Sequence, residues 1–556
     1  MIKPIRIDET KIMEFSENCY REIYSFSTKN SYMRPIDKLI KICEIINNTG
    51  KDYHKSLPKV IEDKIGFKLN LDDEVKTVRS TCSNEEVAEY YSKYYSTDLS
   101  DFPEDITEVE SHLSDELMID INDKYKNNLA IDCYGLSLHL FLHCGEKTIS
   151  IINKIIEQII DLNEDIEYNY RHLFLTSIFT KMKERFIGMD KSNLDYFRPL
   201  SKLCVLGTVI DRYVYDRVKF HYTSKNLFDK SQYVFNRNGL LRASKKIINN
   251  VLNLKKNPES FILFLDIKNA YTNVNKPKLI QIMKDDGVNM VFIKYLNNFL
   301  KYTTGFVNNV NKSFPIEKGL LQGIPSSQVL FVIYMNSYIK KLKNKLKYLD
   351  ASVDITVYVD DIVITGAKRE HLDLVLIILS RLNKEFCFEF AKEKIRIMTH
   401  KNTYSGIFEG TEIKPVELGF KYLGGYIYED DYELTNYILE ELIISKFIFI
   451  VDKATCVEHF LALIKKNIMN AMVLKLPKSS LRLFAVDNIH INKINFFFTY
   501  IKMFIEENKH LFTDKDGNSF FEIYGEEIID YLKNETVLRI GSKLENPISL
   551  EANEIL

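Results

Sequence analysis

Three textures of hydrophobic and polar positions follow one another along the chain. Up to about residue 170, apolar residues recur at three- and four-residue spacing between acidic residues, as in IIEQIIDLNEDIEYNY (155–170). That is the period of amphipathic helices. Between 171 and 431, short β-branched and aromatic runs appear: FILFLDI (261–267), DITVYVDDIVIT (354–365), KIRIMTH (394–400) and FKYLGGYIY (420–428). They alternate with helical stretches and read as strands of a mixed sheet. From 432 to 556 the helical period returns in YELTNYILEELIISKFIFIV, HFLALIKKNIMNAMVLKL and INKINFFFTYIKMFIEEN. The pattern predicts an α+β protein with a helical N-terminal region over 1–170, a mixed domain over 171–431 and an all-α C-terminal domain over 432–556.

Composition changes this picture little, but charge does. The 75 Lys and Arg against 77 Asp and Glu leave a net charge of −2. Proteins that grip long nucleic acid nonspecifically carry a basic excess, because neutralised phosphates supply most of the affinity. Any such contact here must come from local patches. Lys340, Lys341, Lys343, Lys345 and Lys347 form one candidate, and otherwise read as a solvated face. The eight cysteines are scattered without a CxxC pair, which fits a reducing compartment and no disulfide framework. His139 and His143 stand four apart in an apolar stretch, but Leu140 fills the place of a catalytic glutamate, so they read as packed core. The apolar runs are too short to span a bilayer, and the N-terminus lacks a signal-peptide core, so a cytoplasmic protein without a membrane partner is expected.

Two strands end in acids. DITVYVDDIVIT reads as a hairpin with Asp360 and Asp361 at its turn, and FILFLDI delivers Asp266 where a buried strand stops. Adjacent carboxylates repel unless a cation offsets them, so the pair suggests a divalent ion. Alone, an acidic turn is often only a solvated turn, and an aspartate after a strand is usually a cap for the next helix. Together, two strands presenting carboxylates at one end supply what two-metal phosphoryl transfer needs.

The ordered motifs around these acids resemble the palm and fingers of reverse transcriptases over roughly residues 195 to 430. DIKNAYTNV (266–274) resembles the first catalytic motif, LLQGIPSSQVLFVIYMNSY (320–338) the second, YVDD (358–361) the third, FEFAKEKIRI (388–397) the fourth, and FKYLGG (420–425) the primer grip. KLCVLGTVIDRYVYDRV (202–218) and QYVFNRNGLLRASKKI (232–247) resemble the fingers blocks. The resemblance implies a right-hand polymerase fold and the catalytic acids Asp266, Asp360 and Asp361. It implies Mg²⁺ or Mn²⁺ held by these three and Ile267. For the incoming dNTP it implies Tyr271, which excludes a 2′-hydroxyl, together with Lys202, Gln322, Gly323 and Lys394, the last a candidate general acid. Leu423 and Gly424 would form the primer-grip turn. Three positions depart from the pattern: Lys202 stands where relatives carry arginine, Val234 where glycine follows Gln232 and Tyr233, and Ser327-Gln328 where Ser-Pro is usual.

The long helical N-terminal region, the near-neutral charge and the helical last third resemble the bacterial antiphage reverse transcriptases of the abortive-infection and unknown-group lineages. That resemblance implies untemplated or protein-primed DNA synthesis in a homo-oligomer, with product joined to a tyrosine. A conventional retron or group II intron enzyme copying an RNA template remains open, as does an inactive polymerase fold used as a binding scaffold.

Overall fold

The computed structural model describes residues 9–50, 80–97 and, with short breaks, 132–427, beyond which only Leu463 is described. The all-α domain expected over 432–556 otherwise lies outside the described residues, as does Gly424.

The described N-terminal residues are helical: α1 (Glu9–Lys29), α2 (Pro35–Thr49), α3 (Asn84–Tyr95), α4 (Leu138–His143), α5 (Glu146–Asp161) and α6 (Ile166–Leu173). Helices α1, α2 and α5 pack on one another through an apolar stripe that includes Ile23, Ile42, Ile46, Ile152 and Ile156. Helix α3 starts on a full capping box: the Ser83 hydroxyl accepts from the Glu86 amide, and the Glu86 carboxylate accepts from the Ser83 amide.

After α6 the chain turns to β1 (Leu175–Met182) and β2 (Phe197–Leu203), an antiparallel hairpin paired from Thr176↔Leu203 to Met182↔Phe197. Helices α7 (Val205–Ser224) and α8 (Gly239–Leu254) follow, then the strand β3 (Phe261–Leu265). Next come α9 (Lys276–Asp285), α10 (Met290–Tyr302), β4 (Thr304–Phe306), β5 (Ser313–Pro315) and the long helix α11 (Pro325–Tyr348). The hairpin β6 (Val353–Tyr358) and β7 (Asp361–Gly366) leads to α12 (Glu370–Glu385). The last described strands are β8 (Arg396–Thr399), β9 (Gly406–Phe408), β10 (Thr411–Pro415), β11 (Phe420–Tyr422) and β12 (Gly425–Ile427). Among the described residues the strands form three sheets, in the orders β2-β1-β4-β5, β6-β7-β3-β8-β10-β9, and β11-β12.

The six-stranded sheet is covered on both faces, which explains why β3 reads as an unbroken apolar run instead of an alternating one. Leu263, Leu265, Ile362, Ile364 and Ile397 join the main core with α11 and α12. On the other face, Ile262, Phe264, Val363 and Met398 pack with Ile247 and Val251 of α8 and with Tyr422 of the β11–β12 hairpin. Helix α11 runs through the main core with Val329 to Met335 all buried. Its N-terminus has no side-chain cap of its own, and the buried carboxylate of Asp211 on α7 supplies one, accepting from the Ser326 amide at 2.9 Å. Among the described residues no helix is long and apolar enough to cross a membrane.

Candidate active site

The ladder between β3 and β7 sets the acids against each other. Leu265 pairs with Ile362, so the same antiparallel register, carried one residue further, places Asp266 opposite Asp361. Directly opposed residues have Cα atoms about 4.5–5.5 Å apart. The β6–β7 hairpin closes with Tyr358↔Asp361, leaving Val359 and Asp360 as a two-residue turn. Val359 has φ of 61°, and Asp360 is not in the positive-φ region. This is the pattern of a type II′ turn, whose twist suits a hairpin but whose first corner normally needs glycine. A β-branched residue there is strained.

The strain is held by residues 231–234. Residues 231–233 lie along the outer edge of β6: the Tyr233 amide donates to the Val357 carbonyl and the Val357 amide to the Ser231 carbonyl, each at 2.9 Å. From this edge the buried side chain of Gln232 reaches the turn. Its Oε1 accepts from the Val359 amide at 3.2 Å and from the Val234 amide at 3.3 Å. Through Gln232, the turn that carries Asp360 is tied to a segment more than a hundred residues away.

Both turn carboxylates hold their protons more tightly than usual. Burial is the first cause for Asp360, and the nearby Asp266 adds to it, while Arg198 and Lys394 oppose. Burial, then Asp360, then Asp266 push Asp361 up to about 7. Such mutual repulsion calls for a cation. Lys394 supplies one, because the short turn at Lys392–Lys394 brings its ammonium into an ion pair with Asp266. That turn is pinned by the Ala391 amide, which donates to the Asp266 carbonyl at 2.9 Å, and by the Lys268 amide, which donates to the Glu389 carbonyl at 2.8 Å. Ile267, between them, bridges to Phe390.

In charge and ligand type, the three carboxylates suit a hard divalent ion. As placed, with Lys394 on Asp266, no three Asp, Glu, His or Cys side chains among the described residues stand close enough together to hold one.

A cavity of about 400 Å³ opens beside the acids, lined by Asp266, Asp361, Lys394, Arg396, Phe420 and Tyr422. Leu423 turns the β11–β12 hairpin at φ 49°, with Tyr422 paired to Gly425, and Phe420 and Tyr422 of this hairpin line the cavity. Tyr271 stacks on Phe331 of α11 with centroids 4.8 Å apart and 15° between the planes. Its phenol is raised by burial first and by Asp360 second, which puts the ring within electrostatic reach of the turn. The Gln322–Gly323 segment crosses the fingers at β2, where the Ser201 amide donates to the Gln322 carbonyl at 2.7 Å. Gly323, at φ 107°, has no room for a Cβ, which would lie 2.8 Å from the Ser201 carbonyl oxygen.

Lys202 lies on β2, paired with Ser177 of β1. The charge of Lys202 acts on Asp132, whose Oδ2 accepts from the Val205 amide at the start of α7. The fingers cation whose field reaches Asp360 is Arg198, exposed and four residues earlier on the same face of β2. Asn336 faces away from the acids, accepting from the Asp229 amide and donating to the Leu227 carbonyl. The basic run at the end of α11 is partly spent on ion pairs, Lys341 with Glu385 and Lys343 with Asp229.

Residues 189–427 match the reverse transcriptase (RNA-dependent DNA polymerase) family. A reverse-transcriptase domain is therefore present in this chain, and its fold is reverse-transcriptase-like, of the α+β class. As a polymerase domain it belongs with the nucleotidyltransferases. Among solved structures, the chain is similar to apo telomerase from Candida tropicalis, at 12% identity and a TM-score of 0.38, over 98% of each chain. Telomerase from Candida albicans in complex with a fragment of telomeric RNA is also similar, at 11% identity and a TM-score of 0.34, over 86% of this chain and 80% of that one.

Proposed function

We propose that this chain is a DNA polymerase that extends a hydroxyl with deoxynucleotides, using Asp266, Asp360 and Asp361 as one catalytic unit. The observation that carries this reading is the register that opposes Asp266 to Asp361 beside a strained turn bearing Asp360. Mg²⁺ or Mn²⁺ would be held by these carboxylates with the Ile267 carbonyl. Bound there, it would neutralise triphosphate charge and acidify the attacking hydroxyl.

The chain's own residues do the rest. Arg198 meets the triphosphate from the fingers side, where its charge already acts on Asp360. Lys394, released from Asp266, protonates the leaving pyrophosphate. Tyr271, braced by Phe331, closes the space a 2′-hydroxyl would need. Gln322 and Gly323 back the base pair, and Leu423 with Gly424 holds the primer terminus. The decisive assay supplies labelled dNTPs and Mg²⁺ to purified protein, with and without an RNA template. Incorporation lost with a chelator supports the reading, and none under any template or metal condition sinks it.

In its finer form the proposal is untemplated or protein-primed synthesis in bacterial antiphage defence, by a homo-oligomer in the cytoplasm. The near-zero net charge supports this over an enzyme clamped on a long RNA. The priming group would be an exposed tyrosine outside the site. Burial raises the phenols of both Tyr271 and Tyr422, which makes them poor nucleophiles. Label that stays with the protein through a denaturing gel and is removed by DNase supports protein priming. Free product that requires an RNA template favours a conventional enzyme.

A further inference from the structure

The sugar-selecting residue is held from outside the matched reverse-transcriptase domain. Helix α3, at residues 84–95, carries Tyr90, Tyr91, Tyr94 and Tyr95 in one aromatic cluster. From this cluster the Tyr94 hydroxyl meets the Thr272 hydroxyl at 2.8 Å. Thr272 is buried and directly follows Tyr271.

The same helix end also holds the strap that lies on the other side of Thr272. The Tyr95 carbonyl accepts from the amides of Glu317 and Lys318, both at 3.1 Å. The Glu317 carboxylate accepts from the Thr97 amide at 3.0 Å. Gly319 then presses on Thr272 so closely that a Cβ would stand 2.4 Å from its Cα. One residue on, the Leu320 amide donates to the Tyr271 carbonyl at 2.8 Å. The backbone of Tyr271 and Thr272 is thus pinned between α3 and residues 317–320, while the Tyr271 ring rests on Phe331.

We infer that Tyr94 is a positioning residue for sugar discrimination, setting the height of the Tyr271 ring through its hydrogen bond to Thr272. This rests on the reading of Tyr271 as the gate against a 2′-hydroxyl. A ring that excludes one hydroxyl must be placed to within a fraction of an ångström, and a packed aromatic stack alone leaves it free to slide. The Tyr94–Thr272 bond removes that freedom from the backbone side. Because only the sugar edge of the site depends on it, the substrate class it distinguishes is deoxyribonucleoside against ribonucleoside triphosphates.

The test is a double-mutant cycle on the full chain, read as the ratio of kcat/KM for a dNTP to that for the matching rNTP. Tyr94→Phe and Thr272→Val each remove one hydroxyl and keep the packing. Each should narrow the ratio by roughly two- to tenfold, the range that the net worth of one hydrogen bond corresponds to. The narrowing should come from a lower KM for the ribonucleotide, and the double variant should go no further than either single. Tyr271→Ala is measured alongside. If Tyr271→Ala admits ribonucleotides while Tyr94→Phe keeps the wild-type ratio, the inference fails and the gate stands. If Tyr94→Phe lowers activity with both sugars in parallel, its role is structural and the inference is overturned. If Tyr271→Ala leaves the ratio unchanged, the gate reading falls and takes the inference with it.

Discussion

At the scale of single residues, the proposed site makes the three acids one unit. Asp266→Asn, Asp360→Asn and Asp361→Asn keep side-chain size and remove charge, so each should lower incorporation at least ~100-fold, with double variants falling little further, as for groups that act together. Steady-state incorporation checks this, and a single variant within about tenfold of wild type would remove that residue from the unit. Asp211 makes a different kind of statement. Burial raises its carboxyl from 3.8 to about 6 despite the Ser326 hydrogen bonds, with Arg212 opposing weakly. Its folded value lies above its unfolded one, so the folded chain holds the extra proton between the two. The sign is therefore the reverse of a salt-bridged carboxylate: stability is greatest at the acid end and falls as pH rises towards about 6. Across that window wild type should lose on the order of 2–3 kcal/mol more than Asp211→Asn, measured by denaturant unfolding at each pH.

Single residues were also where the sequence was least legible. The acids could be read because a strand that stops at an aspartate is a local pattern. Arg198 and Lys202 share one face of β2, and only the fold shows that the charge of Arg198 reaches Asp360 while that of Lys202 acts on Asp132. For the structural roles of Tyr94, Asp211 and Gln232 there was no local signal. Their partners Thr272, Ser326 and Val359 lie more than a hundred residues away, and periodicity encodes which face is buried, not what it meets.

At the scale of elements, the strands were legible because their runs are short, β-branched and bounded. FILFLDI and KIRIMTH contain β3 and β8, and DITVYVDDIVIT covers the β6–β7 hairpin except its end residues Val353 and Gly366. The hairpin's conformation was not legible, because valine does not announce a positive φ. Two substitutions separate the strain from the device that holds it. Val359→Gly accepts the turn without a Cβ clash and should raise unfolding stability by up to ~1 kcal/mol, the usual cost of a non-glycine in that region less the entropy of glycine. Gln232→Ala leaves two amides without their acceptor and should lower stability by about 1–3 kcal/mol. Its loss of incorporation should exceed what that unfolding accounts for. Thermal unfolding and incorporation on the same preparations decide it, and Gln232→Ala with wild-type activity would mean the turn holds itself.

At the scale of the whole molecule, charge is the constraint. Seventy-five bases balance seventy-seven acids, and several lysines near the domain are already paired, Lys246 with Asp354 and Lys278 with Glu385 among them. The balanced charge leaves no net excess of cations to neutralise phosphates. Binding of a primer–template duplex should therefore weaken only gently with salt, with a slope of log affinity against log salt of about −3 or shallower. Titration by fluorescence anisotropy over a range of salt checks this, and a slope near −8 would show a basic grip that the charge balance does not suggest.

The Gln232 tether also has a consequence for how the enzyme comes into being. A piece of the chain from about 255 to 427 would contain all three aspartates and both strands that carry them. It would nevertheless lack the edge segment that keeps Val359 in its unfavourable conformation. Such a fragment could assemble its sheet and still be chemically silent. On the proposed reading, competence requires both pieces together, because the turn that carries Asp360 is complete only with residues 231–233 against β6.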